Sequence, residues 1–358
     1  MGSASGQMAQ IDAASVQLVV TSPPYPMIEM WDEIMAAQNP EIGLAQRNGD
    51  GNGSFELMHR EMDKIWEQAE RVLCPGGIAC INIGDATRTI NDDFALYNNH
   101  SRIVSAFIKL GFSNMPNIIW RKQTNAPNKF MGSGMLPAGA YVTLEHEWIL
   151  IFRKGGKRVF KTEKDKQLRR ESAFFWEERN IWFSDLWDLK GTKQKIESPN
   201  SRSRSAAYPF EIPYRLINMF SVKGDTIIDP FLGTGTSTLA SMLAERNSIG
   251  IEIDNSFLEI INQNIAEATP DPLNNYLINR INQHKNFVLD RSEDFTKNEI
   301  KHNNHLLGLP VMTSQETEIK LSCIERVNKI SGTEFEVLHK EILKKDIVFP
   351  EAIPALAY

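Results

Sequence analysis

The 358-residue sequence is poor in cysteine and has no apolar run long enough to cross a bilayer. Its three cysteines, Cys74, Cys80 and Cys323, form an odd and sparse set, which excludes a disulfide framework and indicates a reducing compartment. The chain also begins without the pattern of a secretory signal peptide. These absences argue against a membrane protein or a disulfide-stapled secreted domain, and we expect a cytoplasmic protein of a cell without organelles.

The sequence also lacks a cluster of metal ligands. His146 is flanked by two acids, Glu145 and Glu147. Successive side chains of a strand point to opposite faces, so both acids are predicted to point away from the histidine. Cysteine and histidine do not cluster at metal-ligand spacing elsewhere in the sequence, and we predict that the protein binds no metal.

The most informative segment is Ser22-Pro23-Pro24-Tyr25, which follows an apolar run at residues 16–20. Two successive prolines restrict the backbone and donate no N–H, so a stiff loop with outward-facing carbonyl groups is predicted after a strand. If the Ser22 hydroxyl and the Pro23 carbonyl each accept an N–H of an amino group, the nitrogen lone pair is freed for attack on a methyl donor. Tyr25 is suited to stack on a base flipped out of a duplex, so the segment predicts methylation of a nucleobase amine.

A second motif, at residues 226–238, reads as a buried strand that leads into a glycine-bearing turn and a helix. Glu252 follows about 20 residues after the turn, where nucleotide-binding folds place the acid that binds ribose hydroxyls. Thr238 stands where a pyrophosphate-binding pattern has its third glycine, which disfavours the alternative of a nicotinamide dehydrogenase. An adenosine ligand without phosphates fits better, and S-adenosylmethionine is the common one. Its sulfonium is predicted to meet the Phe231 ring or the Asp229 carboxylate.

Together, and in this order along the chain, the two motifs resemble those of the beta class of DNA amino-methyltransferases. Residues 21–25 resemble the catalytic motif of that family, and residues 229–235 resemble its cofactor motif. The resemblance implies an α/β, Rossmann-like class I methyltransferase fold with a mostly parallel sheet and a permuted motif order. It also implies that S-adenosylmethionine is the cofactor and double-stranded DNA the substrate. The cofactor-binding residues that it implies are Asp229, Pro230, Phe231, Gly233, Gly235, Thr236 and Glu252.

The first residue of the catalytic motif bears on the target base. Serine at this position is similar to family members that act on cytosine N4, whereas aspartate is more typical of adenine N6. Ser22 therefore predicts a site-specific cytosine-N4 methyltransferase, with adenine N6 as the alternative. Methylation of cytosine C5 requires a cysteine nucleophile. Cys74 precedes Pro75 in a turn before a strand and is predicted to be a small buried residue instead.

Positive charge is concentrated in one segment, although the net charge of the chain is −6. Residues 153–204 contain fifteen lysines and arginines against eight acids, interleaved with aromatic side chains. The family keeps its target-recognition region here, and basic residues are suited to neutralise phosphates or to contact bases. The predicted DNA contacts are Lys166, Arg169, Arg170, Arg179, Arg202 and Arg204.

Four regions are predicted from these patterns. Residues 1–152 form the catalytic half of the methyltransferase domain, 153–204 the target-recognition segment, 205–268 the cofactor-binding half, and 269–358 a helical C-terminal extension. Within the extension, residues 274–291 and 316–330 are both predicted to be helical. Near the catalytic motif, residues 36–54 are rich in glycine and are predicted to form an irregular loop, either a lid or a surface loop.

One departure from the family concerns the start of the chain. Family members usually carry a strand and a Gly-Asp pair there, the acid helping to hold the adenine of the cofactor, whereas this chain opens Met1-Gly2-Ser3. Either Ser3 or another residue takes over this contact, or the first strand is lost or shortened. A DNA-binding module without catalysis is therefore a further alternative. A companion restriction endonuclease is a predicted partner, and the oligomeric state is open.

Overall fold

The computed structural model describes residues 2–122, 131–132, 134–190, 208–293 and 300–347. The helices within these residues are α1 (Ala4–Met8), α2 (Asp32–Gln38), α3 (Pro40–Arg47), α4 (Gly51–Val72), α5 (Asn99–Lys109), α6 (Glu163–Glu171), α7 (Trp176–Trp182), α8 (Glu211–Phe220), α9 (Thr236–Leu243), α10 (Phe257–Ala268) and α11 (Asp271–Glu293). Single 3₁₀ turns occur at Glu29–Trp31, Ser314–Glu316 and Lys344–Asp346.

The strands of the same residues fall into one large sheet and several two-stranded ribbons. They are β1 (Val16–Thr21), β2 (Leu73–Ile83), β3 (Ala86–Ile90), β4 (Asp93–Tyr97), β5 (Phe112–Asn114), β6 (Ile118–Arg121), β7 (Met131–Gly132), β8 (Ala140–Tyr141), β9 (His146–Lys154), β10 (Leu186–Asp188), β11 (Thr226–Asp229), β12 (Asn247–Gly250), β13 (His302–Asn303), β14 (Pro310–Val311), β15 (Ser322–Lys329) and β16 (Phe335–Glu341). None of the helices in the described ranges has the length and apolar character that a membrane span requires.

The large sheet runs in the order β10-β6-β9-β2-β1-β11-β12, with β5 also paired to β9. Strand β1 is parallel to both of its neighbours, with Leu18 opposite Ile227 on β11 and opposite Ile78 on β2. Strand β9 is antiparallel to β2, β5 and β6. The predicted α/β fold with a mostly parallel sheet is confirmed. Because β1 and β11 point the same way, the loops after them open on one edge of the sheet, where ligands of such folds bind.

Both faces of the sheet are covered by helices, which explains the continuous apolar run of β1. Leu18 and Val20 contribute to a core with α8, α9, α10 and α11, whereas Val16 and Val19 contribute to a second core with α1, α4 and α5. All four side chains are at most 1% exposed. Each such burial stabilises the fold by about 1.5–3 kcal/mol. The strand that carries the catalytic loop is therefore fixed on both faces.

The prediction of an irregular loop at residues 36–54 is wrong, because the segment contains the end of α2, all of α3 and the start of α4. Asn39 and Asp50 each cap the following helix, and the Asp50 Oδ1 accepts the N–H of Gly53 at 2.7 Å. Gly43 is buried inside α3, where a Cβ would lie 3.6 Å from that of Ala36. That distance is an ordinary contact, so the segment is helical although its glycines are typical of a loop.

The C-terminal extension is helical only in part. Helix α11 agrees with the prediction for residues 274–291, but the predicted helix at 316–330 is wrong because β15 occupies most of that segment. Its backbone pairs with β16 across a turn, in an antiparallel register that places Val327 opposite Val337. Ile324 is buried in the core beside α9 and α11. The partner strand lies outside the segment whose pattern suggested a helix.

Candidate active site

A cleft that is open to solvent lies at the edge of the sheet where β1 and β11 end. The residues lining it that the sequence predicted are Ser22, Pro23, Pro24, Tyr25, Asp229, Pro230, Phe231, Gly233, Thr236 and Glu252. The structure thus brings together two motifs that are separated by about two hundred residues in the chain. Gly235 is a predicted residue outside this lining; it is the N-cap of α9 and has a φ of 91°.

Asp229 joins the two motifs. Its Oδ1 accepts the Thr21 hydroxyl at 2.5 Å and the Phe231 N–H at 3.0 Å, and its Oδ2 accepts the Ser237 hydroxyl at 2.5 Å. Burial raises the pKa of this carboxyl to about 6. These donors already engage both oxygens, so the carboxyl of Asp229 holds the ends of β1 and β11 and the start of α9 together.

The glycine turn is closed by Glu252. Its Oε2 accepts the Gly233 N–H at 2.9 Å, and its Oε1 accepts the Asp254 N–H at the same distance. Gly233 has a φ of 55°, which favours glycine, and a Cβ built there has no heavy atom within 4 Å. Open space beside this backbone therefore allows a ligand to approach the turn closely.

The residues around this turn fit an adenosine ligand. The carboxyl groups of Glu252 and Asp254 both line the cleft and are suited to accept hydrogen bonds from ribose hydroxyls. Phe231, Ile253 and Phe257 supply apolar surface for an adenine ring. A further wall of the cleft, not predicted from the sequence, is formed by Trp31, Ile34 and Gln38 from the 3₁₀ turn and α2. The spacing of three and four residues in this wall was a helical signal within the segment.

A polar network lies behind the catalytic loop. The Tyr25 hydroxyl donates to Glu147 Oε2 at 2.7 Å, and the Ser22 and Tyr25 hydroxyl oxygens are 3.2 Å apart. Asn82 Nδ2 lies 2.8 Å from the Tyr25 hydroxyl and 2.7 Å from Glu147 Oε2. Lys122 pairs with the other oxygen of Glu147. Burial raises the pKa of Tyr25 well above its usual value, so its hydroxyl stays protonated.

Sequence analysis did not find Asn82, Lys122 and Glu147 as site residues. Asn82 lies in β2, Lys122 directly after β6, and Glu147 in β9, so the three meet only because the sheet places these strands side by side. In the sequence, Glu147 is notable only as a neighbour of His146. The one local signal was an amide inside an apolar strand, since Asn82 is flanked by Ile81 and Ile83.

A second buried amide supports the loop from behind. Asn99 Nδ2 donates to the carbonyl oxygens of Pro26, at 3.1 Å, and Gly84, at 2.9 Å. Its Oδ1 lies 2.9 Å from His59 Nε2, which therefore donates. The neutral imidazole leaves Nδ1 unprotonated in a buried position without a partner in the described part of the chain. Burial accordingly lowers the pKa of His59 to about 4.

Acid is expected to loosen this support. The unfolded chain protonates histidine near pH 6.5, whereas His59 in the folded protein resists protonation to about pH 4. The contribution of neutral His59 to the free energy of unfolding is therefore complete above about pH 6.5. It is lost as the pH falls toward 4, by about 1.4 kcal/mol per pH unit. Between pH 7 and pH 5 the free energy of unfolding of the wild type should fall by about 2 kcal/mol more than that of His59→Gln. Urea denaturation at both pH values measures this difference, and equal losses in the two proteins would contradict it.

The basic segment is only partly available for DNA. Lys166 pairs with Glu163 at 2.6 Å, and Arg170 pairs with Glu318 at 3.2 Å. The guanidinium of Arg169 lies 5.1 Å from the centre of the Phe160 ring, and that of Arg179 lies 6.0 Å from the Phe183 ring. The predicted residues Arg202 and Arg204 lie outside the described residues. The aromatic side chains of this segment that are buried in the core are Phe175, Trp182 and Trp187.

Sheet order, glycine turn and cleft together define a Rossmann-like class I methyltransferase fold, as predicted. The chain belongs to the DNA methylase family named for N6 and N4 methylation, whose model matches residues 16–263. It is therefore a DNA methyltransferase, and S-adenosylmethionine is its cofactor. The predicted family and cofactor are confirmed, and a nicotinamide dehydrogenase is excluded.

Individual relatives agree with this assignment. The chain is 49% identical over 343 residues to Type II methyltransferase M.MthZI of Methanothermobacter thermautotrophicus, covering 95% of this chain and 94% of the relative. It is 52% identical over 271 residues to Type II methyltransferase M.MjaI of Methanocaldococcus jannaschii, with coverage of 73% and 88%. A DNA modification methylase of Thermus thermophilus, solved with S-adenosyl-L-methionine and described as putative, has a TM-score of 0.57 at 29% identity, with coverage of 76% and 95%. The cytosine-N4-specific PvuII DNA methyltransferase has a TM-score of 0.51 at 15% identity, with coverage of 74% and 90%, which indicates a shared fold alone.

Proposed function

We propose that this protein is a site-specific Type II DNA methyltransferase that methylates the N4 amino group of a cytosine flipped out of duplex DNA. The observation that carries the proposal is the Ser22 hydroxyl, which lines the cleft on a proline-stiffened loop beside the cofactor turn. A hydroxyl there accepts an N–H of the target amine without adding the charge of a carboxylate. The Type II relatives described above support the site-specific class.

In the proposed mechanism the residues of this chain orient the amine. Ser22 Oγ and the Pro23 carbonyl each accept one N–H, which turns the nitrogen lone pair toward the cofactor side of the cleft. The ring of Tyr25 lines the same cleft and stacks on the flipped base. Bound S-adenosylmethionine supplies the electrophilic methyl group. Phe231, with Glu252 and the glycine turn, holds the cofactor opposite the amine.

The identity of the methylated base tests this proposal directly. DNA methylated by the protein is digested to nucleosides, and the modified nucleoside is identified by mass spectrometry. N4-methyldeoxycytidine is expected. N6-methyldeoxyadenosine would overturn the choice of base in favour of the adenine alternative, and the absence of any methylated nucleoside would favour a DNA-binding module without catalysis. Sequencing of the same DNA with detection of modified bases gives the recognised site.

We further propose that residues 153–204 contact the DNA, with Lys166, Arg169, Arg170 and Arg179 among the contacts. Helix α6 carries three of these four residues, and within the described residues the Arg169 guanidinium lies over an aromatic ring and pairs with no acid. Such a cation remains available to a phosphate. On the same resemblance we propose a companion restriction endonuclease, which cleaves the recognised site only in unmethylated DNA.

Replacing Arg169 by alanine is expected to weaken binding to all duplexes alike. Loss of one phosphate contact should reduce the slope of log K against log salt by about 1 without changing the preferred sequence. Fluorescence anisotropy at several salt concentrations measures the slope. Lys109→Ala, which removes an exposed cation at the end of α5, is the matched control and should leave it unchanged. An unaltered slope in Arg169→Ala would remove this residue from the interface.

A further inference from the structure

The catalytic serine is the first member of a chain of hydrogen bonds that ends at a buried carboxylate. Ser22 Oγ contacts the Tyr25 hydroxyl at 3.2 Å, and the Tyr25 hydroxyl contacts Glu147 Oε2 at 2.7 Å. Asn82 Nδ2 donates to the Tyr25 hydroxyl and to Glu147 Oε2, and it also lies 3.3 Å from Ser22 Oγ. Glu147 is 7% exposed and does not line the cleft in the described residues. Within the described residues, Glu147 is connected to the cleft through Tyr25 and Ser22, both of which line it.

The hydrogen bonds that lead from Ser22 through Tyr25 to Glu147 can run in only one direction. A carboxylate accepts only, so the Tyr25 hydroxyl must donate its hydrogen to Glu147. The oxygen of Tyr25 can then only accept, from Asn82 Nδ2 at 2.8 Å and from the Ser22 hydroxyl, which donates its own hydrogen to it. The NH₂ group of Asn82 also only donates, to the Tyr25 oxygen and to Glu147 Oε2, so it does not reverse this order. The Ser22 hydrogen thus points to the Tyr25 hydroxyl, which leaves a lone pair of the Ser22 oxygen to accept from a group in the cleft.

We propose that Glu147 is a positioning residue that sets the direction of the Tyr25 and Ser22 hydroxyls, so that Ser22 presents an acceptor to the target amino group. The inference rests on the proposed role of Ser22 in amine methylation. It does not depend on whether the amine belongs to cytosine or adenine, because both amines must donate an N–H. An unoriented serine hydroxyl could equally donate toward the amine nitrogen and block its lone pair.

Two further features of the site support a fixed direction of the hydrogen bonds from Ser22 to Glu147. Lys122 pairs with Glu147 Oε1, which leaves Oε2 as the oxygen that receives Tyr25 and Asn82. The Asn82 amide directs its NH₂ group into the network although its Oδ1 is buried without a partner in the described part of the chain. A buried acceptor without a partner costs about 1–3 kcal/mol. A purely structural amide in an apolar strand has no need of this arrangement.

Glu147→Gln tests the inference because it should reverse the direction of the hydrogen bonds through Tyr25 to Ser22 with little change in side-chain shape. Lys122 should retain the amide oxygen, so the amide NH₂ would face Tyr25 and donate to it. Tyr25 would then donate to Ser22, and the Ser22 hydrogen would point into the cleft. We expect the single-turnover rate of methylation to fall about 10²-fold. The dissociation constants for S-adenosylmethionine and for DNA should stay within about twofold of the wild type, since ground-state binding is not altered.

Glu145→Gln is the matched control, because it makes the same chemical change at a residue two positions earlier, outside this network. It should methylate at the wild-type rate. Thermal unfolding of both variants shows whether each is folded. A folded Glu147→Gln protein that methylates within about twofold of the wild-type rate would overturn the inference, as would an equal loss in binding and in rate.

A double-mutant cycle tests the route through Tyr25. Tyr25→Phe keeps the ring for stacking and removes the hydroxyl that connects Ser22 to Glu147. If Glu147 acts through this hydroxyl, adding Glu147→Gln to Tyr25→Phe should lower the rate by less than about threefold. Fully additive losses would overturn the inference. Detection of N6-methyldeoxyadenosine from the wild type would contradict the proposed base specificity but leave this inference standing, so the two failures are distinguishable.

Discussion

Ser22→Ala is expected to reduce the single-turnover rate of methylation by about 10²- to 10³-fold, the loss seen when one oriented hydrogen-bond partner of a reacting group is removed. The variant keeps the backbone of the proline loop and removes only the oxygen that would accept the amine N–H. The affinity for S-adenosylmethionine should change little, because Asp229 is tied to Thr21 and not to Ser22. Rapid quench with labelled cofactor measures the rate, and calorimetry measures the affinity.

A suitable control for this variant is Ser105→Ala, which removes a hydroxyl from the exposed face of α5, where the hydroxyl donates only to the Ser101 carbonyl. It should leave both quantities unchanged. If Ser22→Ala turns over at the rate of this control, then Ser22 has no part in the reaction and the Pro23 carbonyl alone would have to orient the amine.

Glu252→Gln is expected to weaken S-adenosylmethionine binding by about 10- to 100-fold. The carboxylate has two acceptor oxygens, and each receives a backbone N–H of the cofactor turn. Glutamine keeps one acceptor, but its NH₂ group faces the other N–H, so one backbone donor loses its partner. A lost hydrogen bond to a charged group costs about 1.5–3 kcal/mol, which corresponds to this range of affinity.

Calorimetric titration with S-adenosylmethionine measures the cofactor affinity of Glu252→Gln. Glu259→Gln, on the exposed surface of α10, is the control. At saturating cofactor the Glu252 variant should recover much of its rate, because the amine-orienting residues are untouched. A rate that stays low at saturation, with normal affinity, would move Glu252 from cofactor binding to the chemical step.

The parts of the fold that the sequence predicts are those fixed by local pattern. The apolar run at 16–20 and the strand at 226–229 form where expected, because a buried parallel strand needs apolar side chains on both faces. The two loops meet in one cleft because their strands are parallel neighbours. The order of the two motifs along the chain also supports the family resemblance. The strand patterns and this order can both be read from the sequence without knowledge of distant contacts.

The parts that the sequence does not predict depend on contacts between distant segments. Asn82 and Glu147 are 65 positions apart and meet across adjacent antiparallel strands. Helix α3 is not predicted because glycines are frequent in residues 36–54, whereas in the structure α3 forms and packs against α2 and α4. Strand β15 was misassigned because its partner supplies the backbone hydrogen bonds that decide between helix and strand.

The shared carboxyl of Asp229 has a consequence for how each ligand affects the affinity for the other. It receives the hydroxyl of Thr21 beside the base-holding loop and the N–H of Phe231 in the cofactor turn. A shift of either loop must therefore alter the other, so occupancy by the methyl donor should raise affinity for the nucleic acid. Thermodynamic reciprocity requires that the duplex raise affinity for the donor by the same factor. Thr21→Val, which removes the shared contact, should make the two ligands bind independently.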